Sequence, residues 1–198
     1  MTLKIGFTGG IGSGKTTASK VFESLGIPVF YADKEAKRLI TTNKTARNQI
    51  ISLFGNKAFT GNDYNTKFVS ESVFNNYDLL KKLNEIVHPL VFKSFNSWCE
   101  SYSHAPYLVM EAAVLIESGF HKYFDYIVVI SAPENIRTDR IIHRDITDTK
   151  SIKARMKMQL SENELLKEAD FVIINDGVKL LIPQILEIHH KFVSLHKN

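Results

Sequence analysis

The sequence predicts an α/β fold in which helices flank a five-stranded parallel sheet, with a helical insertion and a helical lid. The chain opens with a short apolar run, a glycine-rich loop and a helical pattern. Four further apolar runs follow, each of a length typical of a buried strand, and helical patterns connect most of them. Helical periodicity also fills the stretch from about 41 to 105, between the second and third runs. These observations indicate parallel strands joined by helices, with one connection enlarged into a lobe.

The composition is that of an ordinary globular protein. The chain has 198 residues, of which 44% are hydrophobic and 23% charged, and this suits a single domain over residues 1–198. No apolar run approaches the roughly 20 residues of a membrane span, and the opening does not resemble a signal peptide. The lone cysteine, Cys99, excludes an internal disulfide, so we expect a cytoplasmic protein with no membrane partner. The formal net charge of +4 suits a polyphosphate ligand and is too small to argue for nucleic acid.

The opening strand and loop carry the most specific signal. Leu3–Phe7 is typical of a buried strand, and the octet Gly9–Thr16 after it fits G-x-x-x-x-G-K-[ST], the phosphate-binding loop. Glycines let backbone N–H groups turn towards an anion, and the following helix adds partial positive charge at its N-terminus. Lys15 can reach β- and γ-phosphate oxygens, and the Thr16 hydroxyl can bind Mg²⁺. We therefore predict binding of a nucleoside triphosphate by the loop residues Gly10, Ile11, Gly12, Ser13, Gly14, Lys15, Thr16 and Thr17.

The second strand, Ile27–Tyr31, ends where Asp33 begins a helix. A carboxylate at such a junction is often no more than a helix N-cap. Ligands of parallel sheets sit beyond the carboxyl ends of the strands, so Asp33 could instead accept a proton from a hydroxyl group that attacks the γ-phosphate. The position of Asp33 in the sequence supports both interpretations, N-cap and proton acceptor, equally.

The insertion is predicted to consist of helices. A polar stretch, Asn56–Lys67, interrupts them, with Gly61-Asn62-Asp63 as its sharpest turn signal. A helix through Leu79–Val87 is expected to break at His88-Pro89, because proline lacks the helical N–H, and another helix should follow. Spacing alone favours His88 as a satisfied polar group at this break.

Three more strands complete the predicted sheet. Tyr107–Met110 ends at Glu111, where a carboxylate could approach a metal through water or could simply be a solvated strand end. Tyr126–Ile130 is a continuous apolar run suited to burial on both faces. Phe171–Ile174 is followed by the turn Asn175-Asp176-Gly177, at an edge where backbone groups could hold a base, and by a closing helix.

A basic helix is predicted from Glu134. Its arginines Arg137, Arg140 and Arg144 share one face at i, i+3 and i+7. Like charges this close disfavour a helix unless an anion joins them, so residues 136–160 are interpreted as a lid over a triphosphate, with a second helix from about 150 to 160. A solvated basic face is the commoner alternative. Ser161–Glu164 then fits a capping box that opens the next helix.

Over essentially its whole length the sequence resembles the dephospho-coenzyme A kinase family. Gly6–Thr16 matches the family's glycine-rich opening, and Leu83–Pro89 resembles its L-N-x-I-x-H-P segment. Arg140–Asp145 matches the lid motif R-x-x-x-R-D, and Ala169–Gly177 matches A-D-x-V-I-x-N-x-G.

The chain also departs from the family pattern at several positions. Tyr31 stands where the family motif D-A-D has its first aspartate. Glu111 and Ala113 replace the aspartate and proline of D-x-P-L-L-x-E-x-G. Lys67 stands where many members have arginine, and lysine lacks the bidentate geometry of arginine.

The resemblance implies a P-loop kinase that phosphorylates the ribose 3′-hydroxyl of dephospho-coenzyme A, with ATP and Mg²⁺. It implies that Asp33 is the general base and that Lys15, Arg140 and Arg144 stabilise the transferring phosphoryl group. Thr16 would bind the metal, and Asn175 and Gly177 would lie by the adenine of ATP. The acceptor would contact Thr8, Asp33, His88 and Glu111. The core would comprise 1–40, 106–135 and 161–198, with an acceptor lobe over 41–105, and we expect a monomer.

Three rival functions stand beside this one, of which a nucleic-acid binder with ATPase activity is suggested only by the pI of about 9.0. A nucleoside or nucleotide kinase could be built on the same core. A GTP-dependent switch would need the base-reading motif N-K-x-D, and the run Asn43–Ala46 ends in alanine instead.

Overall fold

The computed structural model describes residues 2–74, 76–145, 152, 156 and 159–197. The chain divides into two compact units, the first formed by Met1–Tyr31 with Tyr102–Asn198 and the second by Ala32–Ser101. The strands are β1 Leu3–Thr8, β2 Val29–Tyr31, β3 Phe59–Thr60, β4 Asp63–Tyr64, β5 Tyr107–Glu111, β6 Tyr126–Ser131 and β7 Phe171–Ile174.

Helices lie between most of the strands along the chain. They are α1 Lys15–Ser24, α2 Ala32–Thr42, α3 Lys44–Phe54, α4 Thr66–Val73, α5 Tyr77–Ser101, α6 Glu134–Asp145, α7 Glu162–Lys167 and α8 Leu181–Lys197. Short 3₁₀ turns lie at Asn56–Ala58 and Phe120–Tyr123.

The first unit is built on a five-stranded sheet in the order β2-β5-β1-β6-β7, and every neighbouring pair is parallel. The predicted fold class and the five predicted strands are therefore confirmed. The chain moves from β1 outwards to β2 on one side and later to β6 and β7 on the other. In open α/β sheets such a reversal point, at the carboxyl ends of the strands, is where ligands bind. The glycine-rich loop leaves β1 at this point.

The amino ends of the strands are held by an aromatic cluster under α8. The fully buried ring of Phe192 lies 5.2 Å from the ring of Tyr107, 5.6 Å from that of Tyr126 and 5.1 Å from that of Phe171. Each partner stands at the first position of a different strand, so one side chain joins three strands. The contacts with Tyr107 and Phe171 are edge-to-face and the contact with Tyr126 is stacked, and ring pairs of both kinds add to the free energy gained from burial.

Two aspartates align the strands at the same end. Asp125 accepts a hydrogen bond from the Lys4 amide at 2.7 Å, and its own amide donates to the Lys4 carbonyl at 2.8 Å. Asp170 makes the same pair of bonds with Ile127, at 2.7 and 2.9 Å. Each aspartate thus extends a strand ladder by one residue before its own strand begins.

The second unit contains α2 to α5 and a small antiparallel hairpin of β3 and β4. Its core includes Ile50, Val91 and Phe95. The predicted turn at Gly61 is confirmed as the hairpin connection, and the Arg47 guanidinium donates to the Gly61 carbonyl at 2.7 Å. The unit starts at Ala32, so α2 belongs with it, whereas the sequence placed the start of the lobe at about 41.

The predicted helix break at His88-Pro89 is wrong, because α5 runs from Tyr77 to Ser101 with Pro89 inside it. Proline in a helix costs about 3 kcal/mol, since it removes one hydrogen bond and crowds the preceding turn. The helix buries Val87, Val91 and Phe95 along one face, on both sides of the proline. Burial of two or three large apolar side chains offsets that cost. The second predicted lid helix, about 150–160, lies largely outside the described residues.

Candidate active site

The glycine-rich loop joins β1 to α1 and leaves the first turn of α1 open. Gly14 occupies the N-cap position with φ of 102°, a left-handed conformation that strains any residue with a Cβ. No side chain caps this turn, and it contains no acidic residue. The first backbone N–H groups of a helix lack partners within the helix, so this turn is suited to binding an anion.

Lys15 folds back over the same loop. Its Nζ donates to the Gly9 carbonyl at 2.7 Å and to the Gly10 carbonyl at 3.4 Å. The ammonium group therefore already lies within the loop, where phosphate oxygens are expected. Thr16 and Thr17 follow it in the first turn of α1, and both are exposed.

Helix α6 packs directly on the loop through Arg137. A Cβ on Gly10 would lie 2.2 Å from an Arg137 guanidinium nitrogen, so a larger residue there would displace the end of the Arg137 side chain. The Arg137 side chain is 13% exposed, and in the described part of the chain its Nε has no hydrogen-bond partner. Glu162 approaches it to 4.0 Å while also accepting a hydrogen bond from Ser131. Arg137 is thus a largely buried cation whose charge is weakly balanced.

Arg140 and Asn175 form a hydrogen-bond network with the loop backbone at Ser13. The Asn175 amide donates to the Ser13 carbonyl at 2.7 Å, and the Arg140 guanidinium donates to Asn175 Oδ1 at 3.2 Å. Arg140 also reaches the Ser13 carbonyl at 3.5 Å. The structure therefore brings together three residues predicted from separate motifs. Arg144 lies on the same helix, but its side chain is outside the described part of the chain.

The turn after β7 is ordered by Asp176. Its Oδ1 accepts hydrogen bonds from the amides of Lys179 at 2.8 Å and Val178 at 2.9 Å, and these bonds lower the pKa of Asp176. Gly177 and Val178 are exposed beside it. The turn thus presents an accessible backbone segment two residues beyond Asn175.

Two hydroxyl groups at the loop are buried and lack hydrogen-bond partners among the described residues. Thr8, the last residue of β1, and Ser13 are 0% and 1% exposed. Neither hydroxyl has a hydrogen-bond partner among the described residues. Buried polar atoms are nearly always paired, so such a pair next to a phosphate loop indicates that a bound molecule or water completes them.

Glu111 and Tyr31 end neighbouring strands side by side. The strand register places Glu111 opposite both Phe7 of β1 and Tyr31 of β2, and Glu111 is 8% exposed. Burial, followed by a hydrogen bond to Glu23 and the charges of Glu23 and Glu111, raises the pKa of Tyr31 to about 12. A neutral phenol therefore stands where the family pattern has an aspartate.

Asp33 and His88 belong to the second unit. Asp33 lies in the first turn of α2, two residues after β2 ends, as the sequence predicted, and it is exposed. His88 lies half-buried inside α5, and burial lowers its pKa, so its imidazole is neutral at neutral pH. Among the described residues, no three His, Cys, Asp or Glu side chains gather into a metal cage.

Sequence reasoning missed Gln159 entirely. Its side chain accepts a hydrogen bond from the Ile11 amide at 2.8 Å and donates to the Ala113 carbonyl at 3.1 Å. No motif marks it, because a glutamine that bonds backbone groups leaves no periodic pattern. Arg137 was predicted as one of three aligned arginines in a lid over a triphosphate, but its direct packing against Gly10 was not predicted.

Comparisons with known proteins extend over both units. A family model described as dephospho-CoA kinase matches residues 3–180. The dephospho-CoA kinase of Bacteroides fragilis strain YCH46 is 39% identical over 188 residues, covering 95% of this chain and 92% of that one. The dephospho-CoA kinase of Salinibacter ruber is 42% identical over 176 residues, covering 87% and 88% of the two chains. The solved structure of dephospho-CoA kinase from Campylobacter jejuni is similar with a TM-score of 0.70 at 26% identity, and covers 98% of each chain. No helix of the described residues is long and apolar enough to cross a membrane.

Proposed function

The chain belongs to the dephospho-CoA kinase family, and on that premise we propose that it transfers the γ-phosphoryl group of ATP to the ribose 3′-hydroxyl of dephospho-CoA. It is a kinase of coenzyme A biosynthesis whose substrate is the small molecule dephospho-CoA.

The observation that carries the proposal is the arrangement around the phosphate loop. An uncapped helix N-terminus, the Lys15 ammonium and the Arg140 guanidinium all meet the loop backbone. Phosphoryl transfer depends mainly on positioning and on neutralising charge at the phosphoryl oxygens. We assign that neutralisation to Lys15 and Arg140, and to Arg144 one helical turn further along α6.

We assign the general base to Asp33. Its carboxylate is exposed, so a substrate hydroxyl can reach it, and it matches the second aspartate of the family motif. It would accept the proton of the 3′-hydroxyl as that oxygen attacks the γ-phosphorus. In this role Asp33 contributes to turnover rather than to nucleotide binding.

We assign Mg²⁺ binding to Thr16. Magnesium prefers oxygen ligands and usually keeps several waters, binding through one or two protein oxygens and the substrate phosphates. The Thr16 hydroxyl, exposed in the first turn of α1, is an oxygen ligand of this kind. When bound through Thr16, Mg²⁺ would supply positive charge that neutralises the phosphate oxygens.

We assign binding of the acceptor, dephospho-CoA, to three further residues that differ in their chemistry. His88 is neutral and can donate or accept a hydrogen bond, Thr8 has a buried hydroxyl without a partner among the described residues, and Glu111 is a buried carboxylate.

Asn175 and Gly177 are assigned to the adenine of ATP, because the turn beyond β7 exposes backbone groups there.

The function is tested by measuring ADP release from ATP in the presence of dephospho-CoA. We expect turnover that requires Mg²⁺, a product with one added phosphate by mass spectrometry, and no turnover with the 3′-deoxy analogue of dephospho-CoA. Lys15→Ala serves as the inactive control. Faster turnover with nucleosides or nucleoside monophosphates would favour the rival kinase function instead. A monomeric state and a cytoplasmic location are further proposals, to be checked by sedimentation and by cell fractionation.

A further inference from the structure

We infer that Gln159 is a positioning residue that fixes the first half of the phosphate loop and thereby sets the position of Lys15. The inference rests on the proposed function, because it concerns how the loop is prepared for a nucleotide. It begins from the two hydrogen bonds of the Gln159 side chain, to the Ile11 amide at 2.8 Å and the Ala113 carbonyl at 3.1 Å.

The orientation of the Gln159 amide group is fixed by its two partners. The Ile11 N–H can only donate, so it requires the side-chain oxygen, and the Ala113 carbonyl can only accept, so it requires the NH₂ group. One side chain therefore ties the phosphate loop to the segment that follows β5.

The backbone at Gln159 is itself held in place. The next amide, that of Leu160, donates to Glu117 Oε1 at 3.1 Å, and Ser161 is the N-cap of α7 with a complete capping box. Glu117 lies four residues after Ala113, so the side chain of 159 and the backbone of 160 are both anchored to the 113–117 segment. Gln159 is thus a fixed point from which the loop can be held.

The bond to Ile11 acts on a single peptide plane. The Ile11 N–H and the Gly10 carbonyl belong to the same planar peptide unit, so fixing one fixes the other. That carbonyl accepts hydrogen bonds from the Ser13 amide at 3.1 Å and from Lys15 Nζ at 3.4 Å. Without Gln159 this peptide could rotate, and the carbonyl that helps to hold the lysine and the turn would move with it.

The test compares Gln159→Met with the wild-type protein. Methionine is similar in length but can neither accept from Ile11 nor donate to Ala113. We expect the dissociation constant for ATP, measured by calorimetry without acceptor, and the KM for ATP to rise about tenfold, from the loss of two neutral hydrogen bonds. The KM for dephospho-CoA should stay within twofold. Amide hydrogen exchange at Ile11 should become faster.

Asp125→Ala is the matched control. It removes a side-chain acceptor from a backbone amide, that of Lys4, at the opposite end of the sheet. It should lower the melting temperature and leave ATP affinity within twofold, which separates positioning from general stability. An unchanged ATP affinity in Gln159→Met, or an equal loss in the control, would overturn the inference.

The inference can still be tested if the Gln159→Met variant fails to fold. In the wild-type protein the Ile11 amide should exchange more slowly than an unprotected loop amide, and exchange at the unprotected rate would also overturn the inference. If the wild-type protein binds ATP but does not phosphorylate dephospho-CoA, the proposed function fails while the calorimetric comparison still decides the role of Gln159.

Discussion

Replacing Arg140 with alanine should lower kcat by about a hundredfold. Arg140 donates to Asn175 Oδ1 at 3.2 Å and to the Ser13 carbonyl at 3.5 Å. Loss of the shorter, charge-assisted bond costs about 1.5 kcal/mol of loop order, which should weaken ATP binding severalfold. Loss of a preorganised cationic donor to the transferring phosphoryl group costs about 2.7–4 kcal/mol in the transition state, or about a hundredfold to a thousandfold. We take the lower figure because Lys15 remains on the loop.

The assay measures kcat and the KM for ATP at saturating dephospho-CoA. Arg140→Lys restores the charge without the planar guanidinium, so it should recover part of the rate and lie about tenfold below wild type. Arg47→Ala is the control, because Arg47 donates to the Gly61 and Asn62 carbonyls in the second unit and is assigned no role in the reaction. A kcat for Arg140→Ala within twofold of wild type would refute the reasoning.

Three further predictions follow from other features. Asp33→Asn should leave ATP affinity, measured by calorimetry, within twofold and should lower kcat at least a hundredfold, since asparagine cannot take the proton. Unchanged turnover in the ADP-release assay would show that Asp33 is not the base. Phe192→Ala should lower the free energy of unfolding by about 3–5 kcal/mol in urea titrations, because it leaves a cavity where a ring was fully buried. A loss below about 1 kcal/mol would show that the ring cluster does not stabilise the sheet. Burial, and next the charge of His190, lowers the pKa of His189 below the ordinary histidine value of 6.5, so below that pH the unfolded chain binds a proton that the folded chain does not. Stability should therefore fall as the pH drops below 6.5, and His189→Asn should flatten that part of the profile in denaturant titrations.

The sheet and its loop could be predicted from sequence because their signals are local. Tyr126–Ile130 and Phe171–Ile174 are apolar runs bounded by polar or turn residues, and the octet at Gly9–Thr16 has few alternatives. The break expected at Pro89 failed because tertiary packing along α5 overrides the local preference of one residue. Sequence patterns therefore predict the elements whose conformation depends mainly on interactions between residues close in the sequence.

The contacts around the loop could not be predicted in this way. Arg137 and Gln159 reach it across more than a hundred residues of chain, and each contact depends on how α6 and the segment before α7 return to the sheet. Tyr31 was read as a departure from the family pattern, and the sequence did not show that its phenol would be held neutral beside Glu111. Long-range hydrogen bonds and charge environments arise only once the chain has folded.

The paired bonds of Asp125 and Asp170 have a consequence for how the sheet can be misassembled. A slip of β6 by two residues against β1 would keep every side chain on its proper face, so apolar burial alone would tolerate it. Such a shift would move the strand tip by about 6.6 Å, enough to take Val129 away from Thr8 and to leave α6 out of reach of the loop. In the slipped arrangement Asp125 would no longer meet Lys4, so both of its hydrogen bonds to that residue would be lost. The bonds of these two acidic side chains therefore favour, at one end of the sheet, the strand register that places α6 against the phosphate loop at the other.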